Sequence, residues 1–110
     1  MIHASILEQN GYVELLCTGH AGYAEMGKDI VCAAVSSLST SFINLCTELG
    51  EKGDLEVKDL KLEPGRIQMR AYDPKGNAIA ALKMLEIGLT GISEEYPEYV
   101  ILHRCNQWGA

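Results

Sequence analysis

"DIVCAAVSSLSTSFINLCTELG", residues 29–50, is the stretch on which the fold turns. Val31, Val35, Leu38, Phe42, Leu45, Cys46 and Leu49 recur every three or four positions, the spacing that lines up side chains along one face of an α-helix. Asp29 carries the short carboxylate favoured at a helix N-cap, and Gly50 is a favoured stop. A helix with one apolar stripe must bury it against something, and the flanking segments supply the surface.

Upstream, Ile2, Ala4 and Ile6 alternate with His3, Ser5 and Leu7, and Val13, Leu15 and Cys17 hold one parity of residues 12–18. Asn10-Gly11 between these runs favours the positive-φ turn of a β-hairpin, so the first hairpin ends near His20. Downstream, residues 55–62 and 66–72 flank Glu63-Pro64-Gly65 and form a second hairpin, with Ile67, Met69 and Ala71 on one parity. Asp73-Pro74-Lys75-Gly76 ends that strand. Asn77 can cap a second helix bearing Ile79, Leu82, Leu85, Leu89 and Ile92, and residues 99–103 read as a last strand. The order is ββαββαβ. It predicts a single α+β domain over residues 1–110, a sandwich in which a mostly antiparallel sheet carries two helices on one face. Leu7, Leu16, Leu60 and Leu62 are expected on the opposite, outer face.

The chain has 110 residues, 47% of them hydrophobic, enough for one core without staples. Fifteen acidic against nine basic residues give a net charge of -6, and the basic residues are scattered, which argues against direct nucleic-acid binding through phosphates. Such a charge suits a basic protein partner and equally suits plain solubility. The opening MIHASILEQN has no basic segment followed by an apolar run, so no secretory signal is expected, and no apolar stretch is read as a membrane span. Cys17, Cys32, Cys46 and Cys105 are then expected to be reduced thiols in the cytoplasm.

The chemistry concentrates in residues 19–37, "GHAGYAEMGKDIVCAAVSS". Cys32 lies about 90° off the apolar stripe at 100° per residue, sharing its flank with Ser36 and Ser39, whereas Cys46 sits in the stripe. With Asp29 as cap, Cys32 falls in the first turn, where unpaired amides and the positive end of the helix dipole favour a thiolate. His20 ends the strand that the intervening loop joins to this helix, and an imidazole there could serve as proton donor and acceptor. Two readings stay open at this point: a Cys-His catalytic pair, or a capped helix with an incidental cysteine and histidine. Asp29 is either a cap alone or a cap that also orients the imidazole or places substrate. Cys17-x-x-His20 invites zinc, but residues three apart on a strand face opposite ways, and no convergent set of four ligands, hence no metal or other cofactor, is expected. His103 and Cys105 read as sheet-edge residues. Gly19, Gly22 and Gly27 serve turns, or act as hinges that let Tyr23, Ala24, Glu25 and Met26 cover a bound peptide.

"GHA", a glycine-bearing loop and "GKDIVCAAVSSLS" resemble the signature of the ribosomal-processing cysteine protease family, and the resemblance extends over nearly the whole chain. It implies His20 and Cys32 as the catalytic pair, with Asp29 in support. Gly19, Ala21, Gly22, Tyr23 and Gly27 are the candidate substrate-binding residues, with Ser36 a candidate wall. It also implies a homodimer in the cytoplasm, free of metal, whose substrate is the twenty-seventh protein of the large ribosomal subunit bearing an N-terminal extension. The Cys32 thiolate would attack the scissile carbonyl, and amides of the first helical turn, Cys32's own included, would hold the oxyanion. The rival expectations are a non-enzymatic ribosome-assembly module of the same fold and a thiol redox sensor, the latter without a CxxC motif to support it.

Overall fold

In a computed structural model describing residues 1–104, the elements follow the order read from the sequence: β1 (Ile2–Gln9), β2 (Tyr12–Thr18), α1 (Ile30–Glu51), β3 (Glu56–Glu63), β4 (Arg66–Tyr72), α2 (Ile79–Glu95) and β5 (Val100–Arg104). Cys105 lies outside the described residues. The five strands form one mixed sheet in the order β3-β4-β2-β1-β5, antiparallel throughout except that β5 runs parallel to β1. Asn10 and Gly11 both take positive φ, 52° and 81°, the geometry a tight hairpin turn requires.

One face of the sheet is dry. Ile2, Ala4, Ile6, Val13, Leu15, Cys17, Met69 and Ala71 are buried in a single cluster with Val31, Val35, Phe42, Ile43 and Cys46 of α1 and Leu82, Leu85 and Leu89 of α2. Both helices therefore cover the same face, as expected for this α+β arrangement. By length and composition α1 would suffice to cross a membrane, contrary to the reading of the bare sequence. Its apolar character is spent instead on the stripe packed against the sheet.

Local corrections have clear causes. Helix α1 runs through Gly50 to Glu51, and the left-handed residue that ends it is Gly53, φ 79°, whose N–H donates to the Gly50 carbonyl at 3.1 Å. Asn77 does not cap α2. No side chain caps it: the buried Asp73 holds the turn that leads into the helix, one carboxylate oxygen accepting from the N–H of Asn77 and the other from that of Ala78, each at 2.9 Å. Leu60 and Leu62 lie on the helix face, in register with Met69 and Ile67, because an irregularity between Val57 and Asp59 inserts one residue and flips the parity of the rest of β3. Of the four apolar residues expected on the outer face, Leu7 and Leu16 are there, half-buried.

Candidate active site

The loop of residues 19–29 is tied down at both ends. At its start, Gly19 takes φ 91° and packs so tightly against the Met1 carbonyl that a side chain has no room. Its N–H donates to the Gly65 carbonyl at 2.9 Å, and the Met1 ammonium donates to the His20 carbonyl. At its end, Asp29 caps α1: Oδ1 accepts from the N–H of Val31 at 3.0 Å and of Cys32 at 2.9 Å. The other oxygen, Oδ2, reaches back to the N–H of Tyr23 at 3.0 Å and of Ala24 at 3.4 Å. One carboxylate thus holds the first turn of the helix and the middle of the loop. Burial works to raise the Asp29 pKa, but the bonds from Cys32, Ala24 and Tyr23 outweigh it and hold the carboxyl below its ordinary value.

This cap removes one expected oxyanion donor. The amides of Val31 and Cys32 are both taken by Asp29, so Cys32's own N–H is not free for a substrate oxygen. The amide aimed at the sulfur comes from the loop: the N–H of buried Ala21 donates to Cys32 Sγ at 3.3 Å. Ala21 therefore acts through its backbone and lies beneath the cleft rather than along it.

His20 and half-buried Cys32 share a cleft of about 570 Å³ that Gly22, Met26, Asp29 and Ser36 help to line. A second depression of about 320 Å³ lies beside it, sharing His20, Met26, Cys32 and Ser36, and is bounded by Gly19 and by the β3–β4 turn at residues 63–66. The thiol and imidazole thus sit where two hollows meet, an arrangement that would let an extended chain pass over them. Among the described residues no hydrogen bond joins the His20 ring to Cys32. Met26 is 91% exposed, an apolar side chain left over the cleft with nothing from its own chain covering it. Gly22 and Gly27 take φ 71° and 87° in open space, so both are required by the turns they make.

Tyr23 is placed differently from expectation. Its ring packs edge-on against Tyr96 at 5.6 Å and Tyr99 at 5.2 Å, anchoring the loop to the end of α2 instead of covering the cleft. The other two described cysteines are shut away. Cys17 faces the core with its Sγ 3.6 Å from Ser39 Oγ, and burial raises its thiol pKa more than that contact lowers it. Cys46 is fully buried, and burial followed by the nearby Asp73 charge pushes its pKa up to about 12. Among the described residues no three His, Cys, Asp or Glu side chains gather closely enough to share a metal ion. The sequence places the β3–β4 turn at Glu63-Pro64-Gly65 but carries no signal of its position beside His20 and Cys32.

A thiol and an imidazole in one open cleft, with every other described thiol buried, is the equipment of a cysteine protease. Known proteins narrow that class: residues 1–101 match the family described as cysteine protease Prp, and the chain belongs to that family. The ribosomal processing cysteine protease Prp of Mycoplasma genitalium is 33% identical over 89 residues, spanning 81% of this chain and 85% of its own. The crystal structure of an essential ribosomal processing protease Prp from S. aureus, in complex with a covalently linked product peptide, superposes with a TM-score of 0.79 at 28% identity, covering 96% of this chain and 100% of that one. The same protease in complex with a substrate peptide gives 0.74 at 27% identity, with coverage of 96% and 100%.

Proposed function

We propose that this protease removes the N-terminal extension of the twenty-seventh large-subunit ribosomal protein, with Cys32 as nucleophile and His20 as acid and base. The observation that carries the reading is the meeting of Cys32 and His20 in one cleft, with the Ala21 amide on the sulfur. The names of the family's members and the peptide complexes of the S. aureus enzyme support the substrate class.

In this reading the Cys32 thiol gives its proton to His20, and the sulfur attacks the scissile carbonyl carbon. As that carbon becomes tetrahedral and the sulfur gives up its charge to the new bond, the Ala21 N–H is released from Sγ and turns to the oxygen that gathers charge beside it. His20 then protonates the departing nitrogen and the C–N bond breaks. The trimmed ribosomal protein leaves with a new N-terminus, and the extension stays on Cys32 as a thioester. A water deprotonated by His20 hydrolyses the thioester, returning the thiol and releasing the extension as an acid. Asp29 supports the pair by fixing both the turn that carries Cys32 and the loop that follows His20. Gly19, Gly22, Met26, Gly27 and Ser36 border the peptide.

The test is incubation with the extended ribosomal protein and mass analysis of the products. A single cut, lost in Cys32→Ala and in His20→Ala, supports the reading; an uncut substrate overturns the substrate assignment. The proposed homodimer rests on the resemblance and on Leu7 and Leu16 of the sheet's outer face, and light scattering showing a monomer at micromolar concentration would remove it.

A further inference from the structure

The β3–β4 turn lies far in sequence from the loop that bears His20, yet it forms part of the histidine's seat. Gly65 takes φ 76°, and a Cβ built there would stand 3.0 Å from His20 Nε2, 3.5 Å from Cε1 and 3.7 Å from Cδ2. The first of these is tighter than nearly all real Cβ contacts, so a side chain at residue 65 would push the exposed His20 ring aside by a few tenths of an ångström. The same residue's carbonyl accepts from the N–H of Gly19, immediately before the histidine, at 2.9 Å. Gly65 thus meets His20 once directly and once through its neighbour: its bare Cα faces the Nε2 edge of the ring, and its carbonyl accepts from the N–H of Gly19. Its neighbours Glu63, Pro64 and Arg66 border the depression into which His20 and Cys32 both open.

We propose that Gly65 is a positioning residue for the reaction, holding the His20 imidazole at the angle from which it exchanges a proton with Cys32 and with the leaving nitrogen. The inference rests on the catalytic reading of His20 given above. An acid-base group delivers its rate only within hydrogen-bond reach of its partners, and a displacement of the ring by a few tenths of an ångström or a turn about χ1 breaks that alignment. A side chain at residue 65 should therefore act on turnover rather than on peptide binding.

The fold contains its own control. Gly53 takes nearly the same backbone angle, φ 79°, but nothing lies within 4 Å of its would-be Cβ. Gly53→Ala carries the left-handed strain alone, whereas Gly65→Ala carries the strain and the collision. Gly65→Asn separates the two further, since asparagine tolerates positive φ, as Asn10 does here at 52°, but still brings a Cβ.

The experiment measures kcat and KM on the extended ribosomal protein, Tm, and the His20 ring-proton resonance, assigned by its disappearance in His20→Gln. The expected result is a fall in kcat of about tenfold or more in Gly65→Ala and Gly65→Asn, with KM within about twofold and a shifted His20 resonance. Gly53→Ala should lose Tm comparably to Gly65→Ala, by about 4–8 °C, and keep kcat within about twofold. If both Gly65 variants keep kcat and the native His20 resonance while His20→Gln is inactive, the positioning role is overturned and the catalytic reading of His20 stands. If His20→Gln itself cuts at the wild-type rate, the catalytic reading fails, and with it the role proposed for Gly65.

Discussion

Two cysteines on the same helix differ in everything that decides reactivity. Cys32 sits in the first turn of α1, half-buried, at the meeting of two hollows, with the Ala21 amide pointed at its sulfur. Cys46 lies about 21 Å further along at 1.5 Å per residue, wholly enclosed by the core, beside the negative charge of Asp73. Burial and that charge both disfavour the thiolate at Cys46, whereas Cys32 opens to the cleft that His20 also lines. Helix α1 thus treats its two thiols oppositely: it leaves one open to the cleft in its first turn and buries the other where its stripe meets the sheet.

The largest break in this comparison is the removal of each sulfur in turn. Cys32→Ala should lower cleavage by at least about 10³-fold with little change in Tm, because the site is open and leaves a small cavity. Cys46→Ala should leave kcat within about twofold and cost stability on the order of 1 kcal/mol, read by urea unfolding.

Next in size is the imidazole. His20→Ala should lower kcat by about 10²–10⁴-fold and slow the alkylation of Cys32 at pH 7, since both depend on moving the thiol proton. Alkylation of Cys46 should be slow in either protein until it unfolds, and a fast native reaction at Cys46 would break the comparison.

Asp29 sharpens it more finely. Replacing Asp29 by Ala should cost about 1–2 kcal/mol at pH 7 and release the loop from Tyr23 and Ala24, lowering kcat as well. Because the folded carboxyl titrates below its unfolded value near 4, the stability it adds is fully present above about pH 4 and is lost as the pH falls through the lower folded value. The stability gap between wild type and Asp29→Ala should therefore be constant from neutral pH to about pH 5 and narrow under acid, as chemical denaturation at a series of pH values would show. A gap that widened under acid would contradict the cap.

Much of this was legible in the sequence because it is local. The Asn10-Gly11 turn, the stripe from Val31 to Leu49 and the placing of Asp29 and Cys32 in one first turn each depend on residues within a few positions of one another. The residues that were misread depend on partners far along the chain or on a change of register. Leu60 and Leu62 change faces because of one irregular position near Lys58, which no alternation pattern reveals. Asn77 does not cap α2 because Asp73 holds its N–H from the preceding turn and its side-chain amide donates to the distant Asp54 carbonyl. Tyr23 looked like a lid because it stands in a glycine-rich loop, but its ring is captured by Tyr96 and Tyr99, more than seventy residues away. Gly65 gave no sign of its place beside His20, since only the pairing of β4 with β2 brings the two turns together.

The central claim, that Cys32 carries the acyl group, is tested most directly by trapping the intermediate. Wild-type protein mixed with the extended ribosomal protein, quenched in acid within the first turnover and digested, should yield a peptide containing Cys32 that is heavier by the mass of the released extension less one water. The adduct should vanish in Cys32→Ala and persist in Cys46→Ala. An adduct on Cys17 or Cys46, or cleavage by Cys32→Ala at the wild-type rate, would contradict the account.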